Sequence, residues 1–168
     1  MKDLTTTEKL AEQKAATGSK FVYVTYIRTT AEKLWDALIK PEFTKQYWCA
    51  CWQESEWTVG ATWKLVRPDG TVCDAGEVLE VDRPKRLVVK WRNEFRPELT
   101  VEGFSRCTFD LEPTDDSVKL TITHEIDCEK SKLIDAVSNG WPKILASLKS
   151  LLETGESLVS TRQWPKGF

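Results

Sequence analysis

The chain has one histidine and one methionine in 168 residues. A single imidazole cannot build a His-rich metal centre, and structural zinc needs four ligands, usually with wider Cys spacing than Cys49-x-Cys51 provides. Neither a metal nor any other cofactor is expected. Basic charge is lacking as well: 24 Lys and Arg against 26 Asp and Glu leave a net charge of −2, so there is no electrostatic footprint for nucleic acid. The longest apolar run, Tyr47–Trp52, is far short of the roughly 20 residues that a membrane-spanning helix needs. Met1–Glu8 has no hydrophobic stretch of the secretory type, which gives a cytoplasmic address as the expectation. Five cysteines, Cys49, Cys51, Cys73, Cys107 and Cys128, are an odd number in a chain long enough to bury a core without staples. They read as reduced thiols.

What the sequence does have is tryptophan, eight of them. Rings of that size either fill a wide core or line a cavity. Residues 1–19 read as a mobile arm, partly helical around Glu8–Ala16, and residues 157–168 as an irregular tail. Between them, residues 20–156 form one domain. Phe21–Ile27 is β-branched and aromatic, hence a strand. Thr29-x-x-Glu32 fits a capping box, and Ala31, Leu34, Trp35, Leu38 and Ile39 recur at helical spacing until Pro41, which opens a short second helix to Tyr47. From Glu56 the period becomes two, with turn residues at Gly60, Pro68–Gly70, Arg83–Lys85, Gly103 and Pro113–Ser117. Strands are predicted near 61–67, 71–82, 86–93, 104–112 and 118–127.

The last element is a helix over about Lys130–Thr154, with an apolar stripe of Leu133, Val137, Trp141, Ile144, Leu148 and Leu151, stopped by Gly155. Pro142 predicts a kink near Asn139–Trp141. The order β-α-α-β5-α gives an α+β fold in which a curved, antiparallel, six-stranded sheet wraps the long C-terminal helix.

The segments Thr29–Lys40 (TTAEKLWDALIK), Trp57–Val66 (WTVGATWKLV), Gly76–Trp91 (GEVLEVDRPKRLVVKW), Leu120–Glu125 (LTITHE) and Gly140–Gly155 (GWPKILASLKSLLETG), in this order, resemble the activator of heat-shock protein 90 ATPase homologue-like family. That family lies in the START/Bet v 1-like (SRPBCC) helix-grip superfamily. The resemblance covers about residues 20–156 and implies a hydrophobic cavity between helix and sheet. It brings no catalytic motif.

Trp63 and Trp91 on strands, Trp48 after the short helix and Trp141 on the last helix converge on that space, together with Phe109 and Ile122 on the helix-facing side of the sheet. They line a pocket or fill it. Tyr23 and Tyr47 are further candidate polar handles. His124, on the face of Leu120 and Ile122, is either a polar contact orienting a ligand in the cavity or a core imidazole satisfied by a neighbour. Lys45 is a candidate cation for lowering the pKa of Cys49 or Cys51. The acidic pairs Asp74/Glu77 and Asp115/Asp116 read mainly as solvated surface, as do Arg83, Lys85, Arg86 and Lys90. The leading expectation is non-enzymatic binding of a small apolar or amphipathic molecule. A chaperone-associated interaction module is the alternative, and a cyclase- or hydrolase-like enzyme the third.

Overall fold

The computed structural model describes residues 18–166. Most of the arm expected over residues 1–19 lies outside them, as does its helical stretch around Glu8–Ala16. Ser19 already opens the first strand, β1 (Ser19–Ile27). Two helices follow, α1 (Ala31–Ile39) and α2 (Pro41–Tyr47). The cap of α1 is Thr30, whose hydroxyl accepts from the Lys33 amide, one residue later than the capping box predicts.

The sheet has seven strands among the described residues, not six. β2 (Trp52–Ser55), β3 (Thr62–Val66), β4 (Val72–Asp82), β5 (Arg86–Asn93), β6 (Ser105–Pro113) and β7 (Val118–Ile126) join β1 in the order β1-β7-β6-β5-β4-β3-β2. The extra strand, β2, is only four residues long and pairs Trp52 with Val66 and Ser55 with Trp63. So short a segment carries too little alternation to register as a strand in the sequence. A short helix α3 (Pro97–Thr100) sits between β5 and β6. The long helix α4 (Lys132–Thr154) packs across the sheet, as the helix-grip expectation requires. It stays helical through Pro142.

Both ends of α4 are secured. Ser131 caps its first turn, the Glu102 carboxylate accepts from the Lys132 and Leu133 amides, and Gly155 ends it in the left-handed region at φ 84°. Strict alternation in β7 turns Val118, Leu120, Ile122, His124 and Ile126 inward, and β6 does the same with Ser105, Cys107, Phe109 and Leu111. The helix answers with Leu133, Ile134, Trp141, Leu145 and Leu148, all buried.

One glycine is fixed by close approach. Gly76 lies in register between Trp63 on β3 and Trp91 on β5. A Cβ there would sit 1.7 Å from the Lys90 carbonyl oxygen. The two indoles meet over this bare backbone with ring centroids 4.4 Å apart.

Two substitutions check this description by chemical denaturation. Leu148→Ala, at a fully buried site, is expected to cost about 2–5 kcal/mol; a loss below about 0.5 kcal/mol would mean that α4 does not cover the core. Gly76→Ala is expected to cost at least about 3 kcal/mol, the upper end of ordinary overpacking, because the obstacle is backbone.

Candidate functional site

A cavity of about 290 Å³ opens between one end of the sheet, α3, α4 and the C-terminal tail. Three of the tryptophans expected there line it: Trp48, Trp91 and Trp141. Their ring centroids lie 5.2 to 6.2 Å apart. The other expected residues stand behind this wall. Trp63 is fully buried and donates its indole N–H to Gln53 Oε1 at 2.9 Å. Phe109 meets the edge of Trp141 at 5.8 Å, and Ile122 lies beside it on β7. Tyr47 is buried with its hydroxyl donating to the Ala37 carbonyl at 2.8 Å, while Tyr23 is half-buried on the edge strand β1.

His124 is also behind the wall, within a closed chain of hydrogen bonds. The Trp141 indole N–H donates to Nδ1 at 3.3 Å, which puts the proton on Nε2, 2.8 Å from Ser105 Oγ. Ser105 in turn donates to the Trp91 carbonyl at 2.9 Å. Burial pushes the imidazole down to about 3, so it stays neutral through the physiological range. In this geometry His124 ties helix to sheet instead of facing a ligand.

The carboxyl in the cavity wall is that of Asp74, which shares the inner face of β4 with Gly76 and Val78; Asn93 and Arg96 line the cavity beside it. Its supposed partner Glu77 points to the other side of the sheet. Asp74 is 7% exposed, and Asn93 Nδ2 donates to its Oδ1 at 3.1 Å. The Asn93 amide cannot turn, because its oxygen accepts from the Phe95 and Arg96 backbone amides. Burial pushes the Asp74 carboxyl up to about 7, and hydrogen bonds from Trp91, Asn93 and Cys73 limit the rise. The period-two pattern running back from Val78 was the signal for its inward position; the polarity of the residue hid it.

The tail forms the remaining wall. Trp164 and Pro165 close one side of the cavity, with Trp164 edge-on to Phe95 at 5.9 Å and beneath the Arg67 guanidinium at 4.4 Å. A turn at Val159–Thr161 anchors it: the Thr161 carbonyl accepts from the Cys49 amide at 2.7 Å, and the Thr161 hydroxyl donates to Ser147 at 2.6 Å. Nothing in the periodicity of the tail forecast this, although a Trp among polar residues marks a site of burial. Cys49, also in the cavity wall, and the adjacent Ala50 both hold left-handed backbone at φ 52° and 60°. Burial raises the Cys49 thiol, with Lys143 opposing it. Lys45, the cation expected near these thiols, lies instead over the Trp52 ring at 4.5 Å. The five cysteines are free, and no group of three or more potential metal ligands occurs among the described residues.

A curved sheet gripping a long helix, with an aromatic cavity between them, defines a helix-grip protein. Residues 28–153 match the family model described as Activator of Hsp90 ATPase homolog 1-like protein, and the chain belongs to that family. A protein from Mesorhizobium loti is similar at 25% identity and a TM-score of 0.67, over 80% of this chain and 97% of that one. The Aha1 dimer from Colwellia psychrerythraea is similar at 20% identity and a TM-score of 0.66, over 83% and 99%. An HSP90 activator from Plasmodium falciparum gives 20% identity and a TM-score of 0.64, over 79% and 95%. No curated protein matches the chain.

Two of the buried ionisable groups, Asp74 and His124, titrate with opposite consequences. The Asp74 value in the folded chain, about 7, exceeds its ordinary 3.8, so the folded form holds the extra proton between these values and stability falls as pH rises across them. For His124, about 3 against 6.5, the unfolded form takes the proton first and stability falls as pH drops. Asp74→Asn removes the first effect. Its stability relative to wild type is expected to rise by about 1 kcal/mol per unit as pH increases from about 4 to 7. Urea unfolding across that range measures it, and a difference independent of pH would contradict the buried, titrating carboxyl.

Proposed function

We propose that this protein binds a small apolar or amphipathic molecule in the cavity between its sheet, α4 and tail, acting in the cytoplasm and without catalysing a reaction. The observation that carries this reading is Gly140. It lies in the middle of α4, where glycine costs about 1 kcal/mol relative to alanine. A Cβ built there would meet nothing within 4 Å, and the residue lines the cavity. Helix propensity alone favours almost any other residue at this position, so the glycine is best explained by the room it leaves.

The volume narrows the ligand. About 290 Å³ is roughly twice a cavity that accommodates benzene, which suits a compact molecule of about two rings better than a sterol. Affinity would come mainly from apolar area, at roughly 25 cal/mol per Å² before association costs. No helix of the described residues is long and apolar enough to cross a membrane, and membrane insertion forms no part of the reading.

A second reading, a chaperone-associated interaction module, draws on the family and on one surface feature. Val22, Val24 and Tyr26 project from the outer face of the edge strand β1, each about half exposed. That stripe lies on the opposite face of the sheet from the cavity, so the two readings separate experimentally.

Titration of two-ring aromatic compounds against the intrinsic tryptophan fluorescence is the test. Binding in the micromolar range is expected, with Gly140→Ala folding more stably by about 1 kcal/mol. Gly140→Leu should fold as well yet lose the binding, since its side chain occupies the space. If Gly140→Leu binds as wild type does, the ligand sits elsewhere and the cavity reading fails.

A further inference from the structure

The wall around Asp74 has more chemistry than an apolar pocket needs. The hydrogen bond to its carboxyl comes from a neutral donor, the Asn93 amide at 3.1 Å, and the Trp91 indole and Cys73 thiol, also neutral, favour the carboxylate form. Asn93 is locked in that role by the two backbone amides on its oxygen. The surroundings are therefore built to receive a carboxylate, not a carboxylic acid. Hydrogen bonds from neutral groups do not neutralise a buried charge, however. Trp48, Trp91 and Trp141 line the same cavity, and indole rings present faces that attract cations.

We propose that the ligand of this cavity carries a protonated amine on a compact aromatic or aliphatic body, with the amine seated on the Asp74 carboxylate and the body among the tryptophans. This rests on the binding role proposed above and specifies its chemistry. An ammonium supplies the missing counter-charge and further N–H donors, and the indole faces stabilise it. Without such a ligand the carboxyl holds its proton to an unusually high pH, and binding the amine releases that proton.

The other ionisable groups around Asp74 leave this role open. From the β3 side Arg67 stacks on Trp164. After β5, Glu94, whose charge also raises the Asp74 carboxyl, pairs with Arg92 at 2.8 Å, and Arg96, itself in the cavity wall, pairs with Glu98 at 2.8 Å. Cys73 is raised by its hydrogen bond to Cys51 and by burial, and Cys49 by burial. Lys143, on α4, acts on Cys49. Among the described ion pairs none includes Asp74.

The experiment compares three probes of one shape, 1-naphthylmethylamine, 1-methylnaphthalene and 1-naphthoic acid, by calorimetry and tryptophan fluorescence. At about pH 8 the amine is expected to bind roughly tenfold tighter than the hydrocarbon, and the acid weakest. The amine's advantage should shrink at least about fivefold by about pH 5.5, as Asp74 takes up its proton. In Asp74→Asn the amine should lose its advantage over the hydrocarbon. Equal binding of amine and hydrocarbon at high pH, tighter binding of the acid, or an advantage that survives Asp74→Asn overturns the amine assignment while leaving the cavity intact. Should the variant not fold, the wild-type pH series decides alone: a flat amine-to-hydrocarbon ratio rejects the assignment. If none of the three probes binds, it is the cavity role itself that fails.

Discussion

The indole of Trp141 fixes how the long helix sits on the sheet. Its N–H reaches into the core to His124, and the chain continues through Ser105 to the backbone of β5, linking four elements by directional bonds. Apolar packing alone would let a helix roll about its axis at little cost. A buried hydrogen-bond chain with every member satisfied does not, since any roll leaves a donor or acceptor stranded. Because this side of α4 is pinned, Val137, Gly140 and Ile144 are held toward the cavity. The wall's composition thus follows from one polar tie on a side chain that is otherwise packing material.

The same logic separates the two groups that distinguish this interior chemically. His124 is enclosed, fully bonded and neutral, and its contribution is orientation. Asp74 is bonded on its protein side and open toward the cavity. A chain under selection for stability alone has no reason to keep a carboxyl there, because an apolar residue of similar volume would remove the burial cost. Such local inconsistencies concentrate where function lies.

Most of the scaffold was legible because it rests on periodicity. The alternation in β6 and β7, the helical stripe after Ser131 and the stop at Gly155 all appear in the structure within a residue or two. β2 and α3 were not, being four residues each and held by their neighbours. For the site, sequence reasoning found the tryptophans, because large rings from several elements must meet somewhere. It could not divide them into those facing space and those behind, as with Trp91 and Trp63, since both point inward on neighbouring strands. Asp74 reads as wet surface from its charge, although its strand position makes it an inward residue. The tail reads as irregular, which describes its backbone and misses that Trp164 closes a wall.

Gly140 and Pro142 flank Trp141 and are the two poorest helix formers, placed in the middle of a 23-residue helix. The helix persists because its ends are capped and its core face is buried, so these two positions are free of the duty of sustaining it. That makes position 140 a dial. Adding a methyl, then a branched side chain, would shrink the chamber stepwise while strengthening the helix, with no change needed in the sheet. A scaffold arranged in this way can be re-sized for different occupants by single-residue changes that leave its stability intact, so diversification of its contents need not pass through poorly folded intermediates.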